Sequence, residues 1–293
     1  MSTSNRLNHA FTNALELPLG ANTKYVLVSD CHRGVGTSSD NFLKNQHLYF
    51  AALKHYYHNG FSYIELGDGD ELWENRNMES IIEVHSNVFW LFSLFYKENR
   101  LYMIYGNHDM IKKKKRYSKK KCGSYFCTES QKKQPLFPNL TFHEGIILRS
   151  SKAPSKALYL THGHQASLLN STFWPLSQFF VRYFWRPLEN FGVLDPTSAA
   201  KNYHVKHKTE ERLNKWATDC KKTLITGHTH RPVLPEEPAY YYNTGSCVHP
   251  RCITCIEIEN CSLTLVKWSM SSKADSTLYV AREVLSGPVQ LFR

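Results

Sequence analysis

The 293-residue chain is long enough to bury a large interior, as one domain or as a core with a smaller cap, so its stability does not require covalent staples. Lys and Arg number 36 against 25 Asp and Glu, and the net charge of +11 favours anionic partners such as phosphorylated substrates, nucleic acid or acidic lipid headgroups. The first twenty residues are polar and carry no apolar leader pattern, and the stretch nearest to a continuous apolar run, Leu168 to Phe191, is broken by Pro175, Gln178, Arg182, Arg186 and Pro187, which argues against a spanning helix. The eight cysteines therefore read as reduced thiols of a cytoplasmic protein, or of one held peripherally at a membrane surface.

In chain order, short β-branched and aromatic runs predict buried strands at Lys24–Ser29, Ser62–Leu66, Leu101–Tyr105, Ala157–Thr161 and Thr223–Thr226. Asn41–His58 and Met78–Tyr96 carry apolar residues at helical spacing between the first of these, so strands and helices alternate as in a layered α/β protein. Beyond residue 239 the pattern changes. Tyr240–Asn243, Cys252–Ile258 and Ser262–Trp268 read as strands without intervening helices, suggesting a second sheet that finishes the core.

Each of the first five strands is followed at once by a polar cluster: Asp30-Cys31-His32, Gly67-Asp68, Gly106-Asn107-His108-Asp109, His162-Gly163-His164 and Gly227-His228-Thr229-His230. Loops at the carboxyl ends of strands are where α/β folds assemble their sites, so clusters distant in sequence can converge in one crevice. If the chain stays extended, Asp30 and His32 leave it on one side and can grip one cation, and His228 and His230 repeat that geometry. A single histidine at such a place is usually a hydrogen-bonded imidazole, but five clusters together point to a metal site. Carboxylate, imidazole and amide oxygen suit Mn²⁺, Fe²⁺ or Zn²⁺ better than Cu⁺ or an iron–sulfur cluster.

In this order, these motifs resemble those of the calcineurin-like metallophosphoesterases, over roughly Lys24 to Trp268. The resemblance implies a four-layer α-β-β-α sandwich spanning residues 21–272, with 1–20 and 273–293 as terminal extensions. It implies two divalent metal ions, Mn²⁺ first with Fe or Zn as alternatives. Asp30, His32 and His230 would hold one, Asp68 would bridge, and Asn107, His162 and His228 would hold the other. His108 would then face the substrate, Asp109 would orient it, and Asn243-Thr244-Gly245-Ser246 is similar to a turn that supports such sites.

Two dications about 3.5–4 Å apart can share a hydroxide and clamp phosphate oxygens while that hydroxide attacks phosphorus, with His108 placed to protonate the leaving group. The expected function is hydrolysis of a phosphate ester or pyrophosphate. Arg33 and Arg231, each beside a metal ligand, are candidates for phosphate contacts or for solvated loop residues. Glu71 fills the second acidic position after Asp68. Glu71-Leu72-Trp73 and Arg231-Pro232 are similar to the branch containing UDP-2,3-diacylglucosamine diphosphatases, although that branch commonly has Arg where this chain has His108. Nuclease activity, and a nucleic-acid-binding scaffold on the same fold, are the alternatives.

The same branch carries a helical insertion before its last motif, and residues 166–222 read as a helical cap here. Leu169, Phe173, Leu176, Phe180, Phe184, Leu188 and Phe191 recur at three or four residues, with Trp174 and Trp185 on other faces, and core packing with part of the site's rim is the expectation. The basic run Lys112–Arg116 and Lys119–Lys121 follows Asp109 directly and reads as a solvated loop or as an electrostatic guide for nucleic acid or an anionic membrane surface. Cys122 with Cys127, and Cys252 with Cys255, lack the second half of a zinc site and read as free thiols. No stable protein partner is indicated.

Overall fold

In the computed structural model, which describes residues 2–37, 40–127, 131–150, 153, 155–185 and 202–291, two sheets pack face to face between layers of helix. The seven-stranded sheet runs β14 (Leu278–Gln290), β13 (Ser262–Ser272), β12 (Cys252–Glu259), β2 (Lys24–Val28), β3 (Ser62–Leu66), β4 (Leu101–Ile104) and β7 (Phe142–His143). The five-stranded sheet runs β1 (Leu15–Leu19), β8 (Gly145–Ser150), β9 (Ala157–Thr161), β10 (Thr223–Thr226) and β11 (Tyr241–Asn243). A hairpin of β5 (Ser124–Cys127) and β6 (Lys132–Pro135) stands apart from both.

Strand side chains alternate between faces, and here both faces are buried. On β2, Tyr25 and Leu27 join the core between the sheets, while Val26 and Val28 face the helices Gln46–His58 and Ser86–Lys97. On β8, Ile146 and Leu148 point into the space between the sheets and Ile147 points outward, against Leu7 and Trp216. These three apolar clusters are the three interfaces of an α-β-β-α sandwich, as expected from the sequence.

Three expectations need correction. The C-terminal strands do not form a sheet of their own: β11 extends the five-stranded sheet beside β10, whereas β12 pairs antiparallel with β2 and carries β13 and β14. The terminal segments are integral rather than extensions. Helix Thr3–Thr12 buries Leu7 and Phe11, β1 pairs with β8, and β14 pairs along β13. Lastly, helix Tyr203–Cys220 is a layer of the sandwich and not cap. Asn202 caps its start, and it buries Leu213, Trp216 and Ala217, with Trp216 stacked on Phe11 at 5.7 Å.

A buried charge network ties together the loops beyond β2, β3 and β4. Arg33 has no exposed surface; its guanidinium makes a two-pronged contact with Glu65 at 2.8 and 3.0 Å and donates from Nε to Asp70 at 2.7 Å. The other oxygen of Asp70 accepts from Lys112 Nζ at 2.6 Å, and Lys112 also donates to Asp109 at 2.6 Å. Asp109 in turn accepts from the Gly106 backbone N–H at 2.7 Å. Burial alone would raise the pKa of Asp70, but Arg33 and Lys112 outweigh it and hold the carboxyl at about 2.

Breaking such a pair leaves a charge buried and uncompensated. Arg33→Met is therefore expected to destabilise the fold by about 3–5 kcal/mol, read as a lowered midpoint in chemical denaturation. A wild-type midpoint would show that the network adds nothing to stability.

Candidate metal centre

The clusters sit where β2, β3, β4, β9 and β10 end, and their backbones are bent sharply. Asp30, His32, Asp68, His228 and His230 all have positive φ, between 49° and 70°, a region that side-chain-bearing residues rarely occupy. The extended i, i+2 geometry expected for Asp30 with His32 and for His228 with His230 is thus not what brings them together. Left-handed kinks do. Glycine lets the kinked loops meet: a Cβ on Gly106 would lie 2.1 Å from Asp68 Oδ1, and one on Gly227 would lie 2.4 Å from Asp30 Oδ2.

Each central aspartate has one oxygen anchored by the backbone and one aimed at imidazoles. Asp30 Oδ2 accepts from the His228 N–H at 2.8 Å and from Ser29 Oγ at 2.5 Å. Among the described residues its Oδ1 accepts no hydrogen bond, yet it lies 3.1 Å from His230 Nε2 and 3.9 Å from His32 Nε2. Asp68 Oδ1 accepts from the His108 N–H at 2.8 Å, and Oδ2 lies 3.1 Å from His162 Nε2 and 3.9 Å from His32 Nε2.

The tautomers follow from the outer partners. His162 Nδ1 faces the Leu66 carbonyl at 2.8 Å, an acceptor only, so Nδ1 carries the hydrogen and a neutral ring presents the Nε2 lone pair to Asp68 Oδ2 and to Asn107 Oδ1 at 3.2 Å. His32 Nδ1 donates to Glu71 at 2.9 Å, which turns its Nε2 toward His230 Nε2 at 3.3 Å. Converging acceptors repel one another unless a positive charge lies between them, and these donors fit a divalent cation. Protons relieve the same crowding in metal-free protein. Burial pulls His162 down, but Asp68 and Asp30 outweigh it and hold it at about 9. Burial and the neighbouring His162 instead push His228 down to about 3, leaving it neutral.

Among the described residues, three sets are compact enough to share an ion: Asp30 with His32 and His230; Asp68 with His162 and His228; and His32 with Glu71 and His108. Asn107 adjoins the second set through its contact with His162. The Asn243-to-Ser246 turn underpins this centre: Asn243 Nδ2 donates to the Gly227 carbonyl at 2.7 Å, and Ser29 Oγ meets Thr244 Oγ1 at 2.7 Å.

The expected roles of Arg33 and Asp109 are corrected. Arg33 is sealed in the charge network and cannot reach a phosphate, and Asp109 is spent on Gly106 and Lys112 rather than on orienting its neighbour. Arg231 stays half exposed, paired with Glu210 at 2.6 Å. Glu71 is what orients His108, meeting its Nδ1 at 2.9 Å while also holding His32, and Trp73 stacks on the His108 ring with centroids 4.2 Å apart. The signal for Glu71 was its spacing, three residues beyond Asp68. Asn170, 3.4 Å from His228 Nε2, had no sequence signal.

The calcineurin-like phosphoesterase family model matches residues 23–232, and this chain belongs to that family. Among curated proteins, none matches. Of solved structures, the chain is similar to the crystal structure of Chaetomium thermophilum Vps29, at 12% identity over 89% of this chain and 96% of that one, with a TM-score of 0.39.

Asp68→Asn keeps the side-chain shape but removes the charge facing His162 and His32. It is expected to weaken Mn²⁺ binding at least about tenfold in equilibrium dialysis. Unchanged affinity would show that Asp68 is not a ligand.

Proposed function

We propose that this chain is a phosphoesterase using two divalent ions, Mn²⁺ first with Fe or Zn as alternatives. Asp30, His32 and His230 would hold one, Asn107, His162 and His228 the other, with Asp68 between them. The observation that carries this reading is the convergence of imidazole, amide and carboxylate acceptors about Asp30 and Asp68, with His108 fixed at its edge. Bound there, the ions would supply activation of water and neutralisation of phosphate charge.

His108 supplies the proton. Burial pulls its pKa down, but Glu71 and Asp68 outweigh this and raise it, which favours the protonated ring. With Nδ1 on Glu71 and one face against Trp73, Nε2 is left to meet the leaving oxygen. The rings of His32, His108 and His230 keep 11%, 23% and 16% of their side-chain surface exposed, so substrate approaches from their side, while Asp30, Asp68 and His162 stay closed to water. Arg231, on that loop, is a candidate phosphate contact once released from Glu210. Pyrophosphate cleavage in a nucleotide-linked glycolipid, and phosphodiester cleavage, are the finer readings of substrate.

Exhaustive chelation is expected to abolish hydrolysis of an aryl phosphodiester and Mn²⁺ to restore it. His108→Ala should keep its metal yet lose about 10²–10⁴ in kcat, most for poor leaving groups. Turnover by metal-free protein would overturn the reading, and so would wild-type rates for His108→Ala on a poor leaving group. Parallel assays of a monoester, a diester, a nucleotide-sugar diphosphate and DNA separate the substrate classes.

A further inference from the structure

The segment after His162-Gly163-His164 has its polarity inside out. It consists of a helical turn at Leu168–Ser171, a helix at Trp174–Phe180 and a wider turn at Val181–Trp185. Side chains facing the protein recur every four residues. Asn170 meets His228, Trp174 lies 5.5 Å from Lys113 Nζ, Gln178 donates to the Leu72 carbonyl at 3.2 Å, and Arg182 donates to the carbonyls of Leu72 and Trp73 at 2.9 and 2.6 Å. Those facing away are apolar: Leu169, Phe173, Leu176, Phe179, Phe180 and Tyr183 are each between 44% and 56% exposed. A helix on a water-soluble protein turns its apolar stripe inward. Its polar stripe binds the rim of the metal centre here, and its apolar stripe faces outward, which corrects the expectation that these aromatics pack in the core. Trp185, Phe184, Leu188 and Phe191 lie outside the residues whose side chains are described.

The neighbouring surface is basic. Lys113 touches Trp174, and Lys114, Lys115, Arg116, Lys119 and Lys120 are exposed on the same stretch, which has no acidic residue from Met110 to Cys127. On the other side Arg76 lies over the Tyr183 ring at 5.9 Å. An outward apolar and aromatic face bordered by cations matches the boundary between acyl chains and anionic headgroups. A second copy of the chain would bring two such cationic borders together. Nucleic acid would use the cations but leave Leu169 and Leu176 without a role.

We propose that the face formed by residues 168–183 docks the protein on an anionic lipid bilayer, with the metal centre held at the membrane surface. The proposal is independent of hydrolysis, because docking needs neither metal nor turnover.

The test is co-sedimentation of the full chain with phosphatidylcholine vesicles, with and without phosphatidylglycerol. Binding is expected only with phosphatidylglycerol and should weaken as salt rises. Combining Phe173→Ser, Leu176→Ser and Phe179→Ser should cut it at least about tenfold with little change in the melting temperature, since each of these side chains is more than half exposed. If that variant unfolds, Phe179→Ser alone should still give a measurable loss. Combining Lys113→Glu, Lys114→Glu and Lys115→Glu should abolish the salt dependence. Failure of the wild type to bind would overturn the proposal, as would binding indifferent to the serine substitutions. A wild-type dimer in light scattering that these substitutions dissolve, or tight DNA binding without vesicle binding, would assign the face to a different occupant and equally overturn it.

Discussion

Arg33 is the constraint around which the site is built. A guanidinium cannot shed its proton, so a fully buried one must be met by anions, and Glu65 and Asp70 meet it from the strand and the loop on either side of Asp68. The demand then propagates. Asp70 has a second oxygen that takes Lys112, and Lys112 takes Asp109, which fastens Gly106 one residue before Asn107. One sequence of charge pairs therefore sets the relative heights of the loops carrying Asp30 and His32, Asp68, and Asn107 and His108. The rings of Phe89 and Phe92, 5.5 and 5.2 Å from the guanidinium, complete its enclosure.

That enclosure makes the backbone strain at the centre tolerable. Five of the seven candidate ligands hold left-handed conformations, each costing about 1–3 kcal/mol outside glycine. Hydrogen bonds between loops offset part of this: Asp30 N–H to the Gly67 carbonyl, His32 N–H to the Asp68 carbonyl and Arg33 N–H to the Gly69 carbonyl, at 3.1, 2.9 and 3.0 Å. The loops beyond β2 and β3 thus pair with each other after their strands have ended. A cation bound only to the folded chain would add stability by mass action, and the kinked geometry is in place to receive it.

Strands buried on both faces were the most legible part of the fold, because uninterrupted runs such as Tyr25 to Val28 have no other comfortable home. β1 was not legible, since Pro18 and Glu16 break its run, and neither was β14, whose exposed residues gain their order from pairing with β13. The candidate ligands could be read because each follows a strand. Their second partners could not, since Arg33 with Glu65 and Lys112 with Asp70 are separated by 32 and 42 residues, and nothing in a local pattern distinguishes a buried ion pair from two solvated charges. Glu71 was visible as a position but not as the shared support of His32 and His108.

Lys112 and Lys113 show how little the composition of a basic run says about its use. Lys112 is buried beneath the site, its charge raised in pKa against burial by Asp109 and Asp70. Lys113 is exposed and lies against Trp174 on the outward segment. Successive residues of the short 3₁₀ turn Met110–Lys113 point in different directions, so adjacent lysines serve opposite sides of the loop. The buried one fixes where Asn107 and His108 stand. The exposed one and those after it spread positive charge beside the apolar face, so the loop after Asp109 couples the internal order of the centre to the surface that borders it.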